Sequence, residues 1–269
     1  MKYNEEIVLQ NKLLIRYDLI EDGLTLIERE SIINKSKRCD ILFHDKNGVK
    51  LYIEVKEVVS DEAISQILNY RNLVGDSNSR FMLIANYPIK DIYQLKLQEL
   101  QIEYKHFNKK DIEVYLENLV EIPKGGSPYR TKENVIKKLN KQGTIPNDIY
   151  EYVSNKLHTL DTPIICNISD GIMFQVVQCN EKFLSISAKV NRLLFHFPNG
   201  NRDSIYDKYK NIISEIQRYK DKFLENENKK DKEPNQIDIK LKHVKSLEYV
   251  KPLIDEAYKQ ALISSRSNI

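Results

Sequence analysis

The sequence predicts an α/β protein in two parts: a mixed sheet flanked by helices, then a second domain of α+β type. Strand-like and helix-like segments alternate along the first 120 residues, the pattern of a layered and partly parallel sheet. The stretch "IPKGGSPY", residues 122 to 129, then concentrates Pro, Gly and Ser between patterned segments and marks a boundary. Beyond it come helices followed by four apolar strand candidates. We therefore expect one domain over residues 1–122, a linker at 123–130 and a second domain over 131–269.

In the first part, Ile7, Val8, Leu13, Leu14, Tyr17 and Ile20 recur mostly at helical spacing, which predicts a helix over residues 4 to 20. "LTLIERESI" alternates loosely as a first strand. "RCDILFHDKNGVKLYIEVKE", residues 38 to 57, then reads as a hairpin around the turn signal Asp45-Lys46-Asn47-Gly48. Ser60 and Asp61 are good helix starters, and Ala63, Ile64, Ile67 and Leu68 form the apolar stripe of the helix they open. A buried strand at "RFMLIAN", a helix near 89–100 and a strand at "IEYKHF" follow.

In the second part, helices are expected around 132–141 and 147–159, and strands at "PIICNI", "IMFQVVQ", "FLSISAK" and "RLLFHF". Ile205, Tyr209, Ile212, Ile213, Ile216, Tyr219 and Phe223 predict one long helix between 203 and 226, with core packing as the simplest use of its stripe. "ENENKKDKEPNQ" is a charged, solvated loop by composition. A last helix carries Val250, Leu253, Ile254, Ala257, Tyr258 and Ala261, and Pro252 suggests that it begins near Lys251 instead of Ser246.

Composition narrows the function. With 41% apolar and 30% charged residues the chain belongs with globular proteins. Its 42 Lys and Arg against 39 Asp and Glu leave +3, too little to infer nucleic-acid binding from bulk charge, so any basic surface must be local. Cys39, Cys166 and Cys179 are odd in number and have no close spacing, which speaks against a disulfide framework or a cysteine zinc site and fits a reducing cytoplasm. No stretch is apolar and long enough to predict a membrane span or a secretory leader.

Chemistry concentrates in the hairpin. In "KLYIEVKEV" alternate residues share a face, so Glu54 and Lys56 stand together with Tyr52 while Ile53 and Val55 face the other way. The turn at Asp45 to Gly48 folds Asp40 back toward Glu54. Two carboxylates brought close repel unless a cation lies between them or one is protonated. Mg²⁺ accepts such oxygens, usually one or two carboxylates with water and phosphate. Lys56 can then hold an attacking water beside the phosphate and offset developing charge. A cross-strand salt bridge on an exposed hairpin face explains the same three residues more plainly. Gln66 and Tyr70, one helical turn apart, add a polar ridge beside the site. Glu5 and Glu6 can reach back toward a metal, or simply complement the helix dipole. The five histidines (44, 106, 158, 196, 243) lack ligand spacing, and His44 reads as a bystander.

The order Glu, Asp, Glu-X-Lys, Gln-X-X-X-Tyr resembles the PD-(D/E)XK nuclease superfamily, in particular the catalytic domain of NucS-type endonucleases, over residues 1 to about 120. The resemblance implies a restriction-endonuclease-like fold and an Mg²⁺-dependent DNA endonuclease, with Mn²⁺ as a substitute. It assigns Asp40, Glu54 and the Val55 carbonyl to the metal and makes Lys56 the catalytic lysine. Gln66 and Tyr70 would face the DNA backbone or the site, and Glu6 would be the helix glutamate, with Glu5 as the fallback. Cys39 stands where the superfamily name has Pro, a variation found in the NucS branch. The separate N-terminal DNA-binding and dimerisation domain of NucS proteins has no counterpart here, so mismatch recognition is not implied.

Residues from about 165 to 263 resemble, more faintly, a small uncharacterised domain found behind such nucleases in bacteria, through "NEKFLSISAKVNRLLFHFP" and "IDIKLKHVKSLEYVKPLIDEAYKQ". The family's Gly-His-rich piece is missing. Its position suggests substrate or partner recognition, with DNA as the main partner and a homodimer or partner protein held through this domain. Repair, restriction and phage defence are the settings that follow. The competing expectation is a nucleic-acid-binding or assembly module that keeps the fold without cutting. Clustered carboxylates beside phosphate argue against it.

Overall fold

The computed structural model describes residues 5–34, 37–125, 131–139, 143–178, 182–197, 201–218 and 236–266. The chain divides into two compact units, Lys2–Tyr115 with Ile122–Arg130, and Leu116–Glu121 with Thr131–Ile269. Of the expected linker, residues 126–130 lie outside the described residues, as do residues 225–235 of the charged loop and Cys179.

The first unit is a five-stranded mixed sheet in the order β1 (Thr25–Asn34), β2 (Lys37–His44), β3 (Lys50–Lys56), β4 (Arg80–Ala85), β5 (Glu103–His106). The first three strands run antiparallel, and β3, β4 and β5 run parallel. The β2–β3 turn forms because Asp45 Oδ1 accepts the backbone N–H groups of Asn47 and Val49, both at 2.9 Å, while Gly48 supplies a φ of +78°. Parallel neighbours require helical crossovers, and α2 (Asp61–Val74) and α3 (Asp91–Glu99) provide them. Ser60 Oγ caps α2 by accepting the Ala63 N–H at 3.3 Å, and Gly75, in the left-handed region at φ +62°, closes it.

Ala63, Ile64, Ile67 and Leu97 from these helices bury one face of the sheet around Tyr52, Phe81 and Leu83. α1 (Glu5–Leu13) packs on β3 and buries Val8, Leu9 and Leu13. Covered on both sides, β3 reads as an almost continuous buried run. The helix predicted over 4 to 20 is shorter than expected. It ends at Leu13, and Tyr17–Leu19 form a separate 3₁₀ turn in which the Tyr17 ring tilts onto Phe43, 5.6 Å between centroids.

A seven-stranded sheet has six of its strands wholly within the second unit, β6 being the exception: β6 (Val120–Pro123), β7 (Ile164–Ile168), β8 (Gly171–Val176), β9 (Lys182–Ser187), β10 (Arg192–His196), β11 (Gln217–Arg218) and β12 (Gln236–Lys240). The spatial order is β11-β12-β10-β9-β8-β7-β6. Its apolar side packs against α4 (Lys132–Leu139), α5 (Ile145–Tyr152), α6 (Arg202–Tyr209) and α7 (Leu247–Arg266).

Two expectations are corrected here. The long helix between 203 and 226 stops at Tyr209, and Gln217 and Arg218 pair with Asp238 and Ile237 as an edge strand. Ile205, Tyr209, Ile213 and Ile216 are all buried, so a short helix followed by turns satisfies this part of the stripe, exposed Ile212 breaks it, and Tyr219 and Phe223 lie outside the described residues. The last helix begins at Leu247, with the Tyr249 N–H donating to Ser246 Oγ at 3.3 Å, so Pro252 lies inside it. A helical proline forfeits a hydrogen bond, at about 3 kcal/mol. Burial of Val250, Leu253, Ile254, Ala257 and Ala261 on one face outweighs that.

Candidate active site

Register places the acidic residues. β2 and β3 pair Leu42 with Tyr52 and Ile41 with Ile53, and the ladder's next position sets Asp40 across from Glu54. There the strands part: Asp40 Oδ2 accepts the Val55 N–H at 2.7 Å, so a side chain takes the place of the β2 backbone. A strand residue's N–H and C=O point along one edge, so the Val55 carbonyl shares the edge facing Asp40. The Lys56 carbonyl faces β4 and accepts the Asn86 N–H at 2.9 Å.

Glu54 is 2% exposed. Its Oε1 accepts Lys56 Nζ and Gln66 Nε2, both at 2.5 Å. Gln66 Nε2 also reaches the Tyr70 hydroxyl, which donates to the Arg38 carbonyl at 2.6 Å. One carboxylate oxygen is therefore saturated by donors and locked in orientation, while Oε2 is buried without a hydrogen-bond partner. A buried, unsatisfied carboxylate oxygen is costly in an apolar setting and suits a cation. Hard oxygen donors from Asp40, Glu54 and the Val55 carbonyl fit Mg²⁺ or Mn²⁺. No cluster of three or more His, Cys, Asp or Glu side chains suited to a metal occurs among the described residues, so a carbonyl and solvent have to complete such a shell.

Charge follows the geometry. Burial pushes the Asp40 carboxyl up to about 7; the Glu54 and Glu6 charges add to this, and the Val55 N–H and Lys56 oppose it. Burial also raises Glu54 despite Lys56. For Lys56, burial pulls downward but its contact with Glu54 prevails, so the ammonium stays protonated at neutral pH. Burial raises the Cys39 thiol well above its usual range and leaves it unreactive.

Asp40, Glu54, Val55, Lys56, Gln66 and Tyr70 thus meet at one end of the sheet. Of the two expectations for Tyr70, the DNA backbone or the site, its placement agrees with the site: the residue is 2% exposed and its hydroxyl is hydrogen-bonded to Gln66 and to the Arg38 carbonyl. Glu6 Oε1 accepts the Glu57 N–H at 3.1 Å beside the site, whereas Glu5 pairs with Lys109. His44 lies opposite Lys50 at the turn end of β2, away from Asp40. Sequence reasoning missed Asn86, which ties β4 to Lys56 through its N–H and holds the Lys109 N–H on Oδ1 at 2.9 Å. The only signal was a polar residue ending an apolar strand.

Fold and site together define a mixed α/β domain with a carboxylate pair and a lysine at the strand ends. Residues 5–118 match the Endonuclease NucS C-terminal domain. No curated protein matches the chain. It is similar to the crystal structure of a repair endonuclease from Pyrococcus abyssi, with 24% identity, a TM-score of 0.36, and coverage of 40% of this chain and 50% of that one. It is also similar to an EndoMS–dsDNA2 complex, at 17% identity and TM-score 0.36 over 40% of this chain and 47% of that one. The chain spans about half the length of these solved structures. Among the described residues no helix is long and apolar enough to cross a membrane.

Proposed function

We propose that the first unit is the catalytic domain of a divalent-metal-dependent DNA endonuclease of PD-(D/E)XK type. Asp40, Glu54 and the Val55 carbonyl would hold Mg²⁺, or Mn²⁺ in its place. Bound there, the ion would polarise a phosphoryl oxygen and lower the pKa of water. Lys56, kept charged by Glu54, holds the nucleophile's position and offsets charge on the phosphate. Gln66 and Tyr70 fix the Glu54 rotamer, and Glu6 contributes a carboxylate at the rim for ordered water. The second unit is the place for substrate or partner recognition, including a second copy of the chain. Repair, restriction and phage defence are the settings this activity serves. Free, buried Cys39 and Cys166 suit a reducing cytoplasm.

The observation that carries this reading is the Glu54 carboxylate, with one oxygen held by Lys56 and Gln66 and the other buried without a hydrogen-bond partner, on the strand next to the one that carries Asp40. A module that only binds nucleic acid gains nothing from burying that oxygen beside phosphate. The test is cleavage of single-stranded, branched and duplex DNA across a Mg²⁺ and Mn²⁺ titration. Wild type cuts, and Asp40→Ala or Glu54→Ala falls by at least about 10²-fold, as expected when a transition-state contact is lost. Equal cutting by these variants sinks the assignment.

A further inference from the structure

We propose that Tyr87 is a substrate-positioning residue that stacks on the face of an unstacked nucleobase next to the scissile phosphate; this rests on the nuclease reading above. Tyr87 follows β4, and its N–H donates to the Glu57 carbonyl at 3.1 Å, one residue beyond the Asn86–Lys56 bond. It is thereby pinned to the end of the strand that carries Glu54 and Lys56. Its side chain is 47% exposed and makes no hydrogen-bond, aromatic or cation–π contact among the described residues. Elsewhere in the unit Tyr17 and Tyr52 pair with phenylalanines, Tyr70, Tyr104 and even the more exposed Tyr115 are hydrogen-bonded, and Tyr93 is half-buried against the core. Val58, one residue after Glu57, is also exposed, at 55%.

The charges along the flanking segments are mixed: Glu57 follows Lys56, Lys90 and Asp91 follow Tyr87, and Asp61 is paired with Lys96 at 2.5 Å, so the exposed ring itself is what distinguishes this spot and a neutral aromatic face is its matching partner. Exposed Lys37 and Arg38, the latter 3.7 Å from Glu30, precede Asp40 on the opposite side of the site. A strand crossing the carboxylates therefore finds cations for its backbone on one side and an aromatic face for a base on the other.

The chain has no tryptophan, so Tyr87→Trp makes a single-tryptophan reporter. The full chain is titrated with a thymidine oligonucleotide and with an abasic oligomer of equal length, in Ca²⁺, while fluorescence and anisotropy are read together. Saturable quenching by the thymidine oligomer but not the abasic one is expected. Tyr87→Ala should bind the thymidine oligomer about ten-fold more weakly, and Tyr87→Phe should match wild type. Binding without quenching, together with unchanged Tyr87→Ala affinity, overturns the stacking role alone. No DNA binding and no Mg²⁺-dependent cleavage by wild type overturns the nuclease reading, and this one with it.

Discussion

Glu54 and Asp40 are carboxylates that the fold buries against their own charge. The ordinary Asp value is 3.8, and Asp40 is raised to about 7, so the folded protein holds this proton more tightly than the unfolded chain. Between those limits the folded state carries more protons, and stability falls as pH rises. A gap of this size sets a ceiling on the order of 4 kcal/mol. Without metal, the protein should lose thermal stability between pH 4 and pH 7, and Mg²⁺ should raise Tm more at pH 8 than at pH 5.5. Scanning calorimetry with EDTA or Mg²⁺ checks this, and an equal Mg²⁺ shift at both pH values contradicts it. The positions of Asp40, Glu54 and Lys56 were legible because a turn fixes register and register fixes faces. For Tyr70 the sequence leaves two alternatives, the DNA backbone or the site, because helical spacing gives a face but not what the side chain meets there.

Among the elements, those set by local signals emerged as expected: the Asn47-Gly48 turn, the Ser60 cap, the buried strand before Asn86. The misread ones are decided by distant partners. Gln217 and Arg218 leave a helical pattern because β12 offers an open edge. α7 passes through Pro252 because its other residues bury a full stripe. β8 shows the same dependence on a neighbour: a Cβ at Gly171 would stand 2.3 Å from the Ile186 carbonyl oxygen of β9. Gly171→Ala should therefore force the two strands apart and destabilise the second unit by about 1–3 kcal/mol, the usual range for overpacking. Urea unfolding followed by circular dichroism measures it, and an unchanged midpoint contradicts the tight β8–β9 packing.

Across the whole chain, the Pro-Gly-Ser stretch predicts a boundary at residues 122 to 129, whereas the compact units put Leu116–Glu121 with the second unit and Ile122–Arg130 with the first, a division that composition does not signal. Strand β6 begins within that segment, and the pairing that defines it lies far along the sequence. Net charge is also uninformative at this scale, since +3 is spread over many ion pairs and any DNA affinity has to come from local cations.

The central claim is that Asp40 and Glu54 share one divalent cation. Mn²⁺ binding to the full chain, followed by the loss of the free-ion EPR signal, tests it without any need for turnover. Wild type should take up a single Mn²⁺ that Mg²⁺ displaces, and Glu54→Gln and Asp40→Asn should each lose it while remaining folded. Uptake of Mn²⁺ by Glu54→Gln with wild-type affinity would contradict the account.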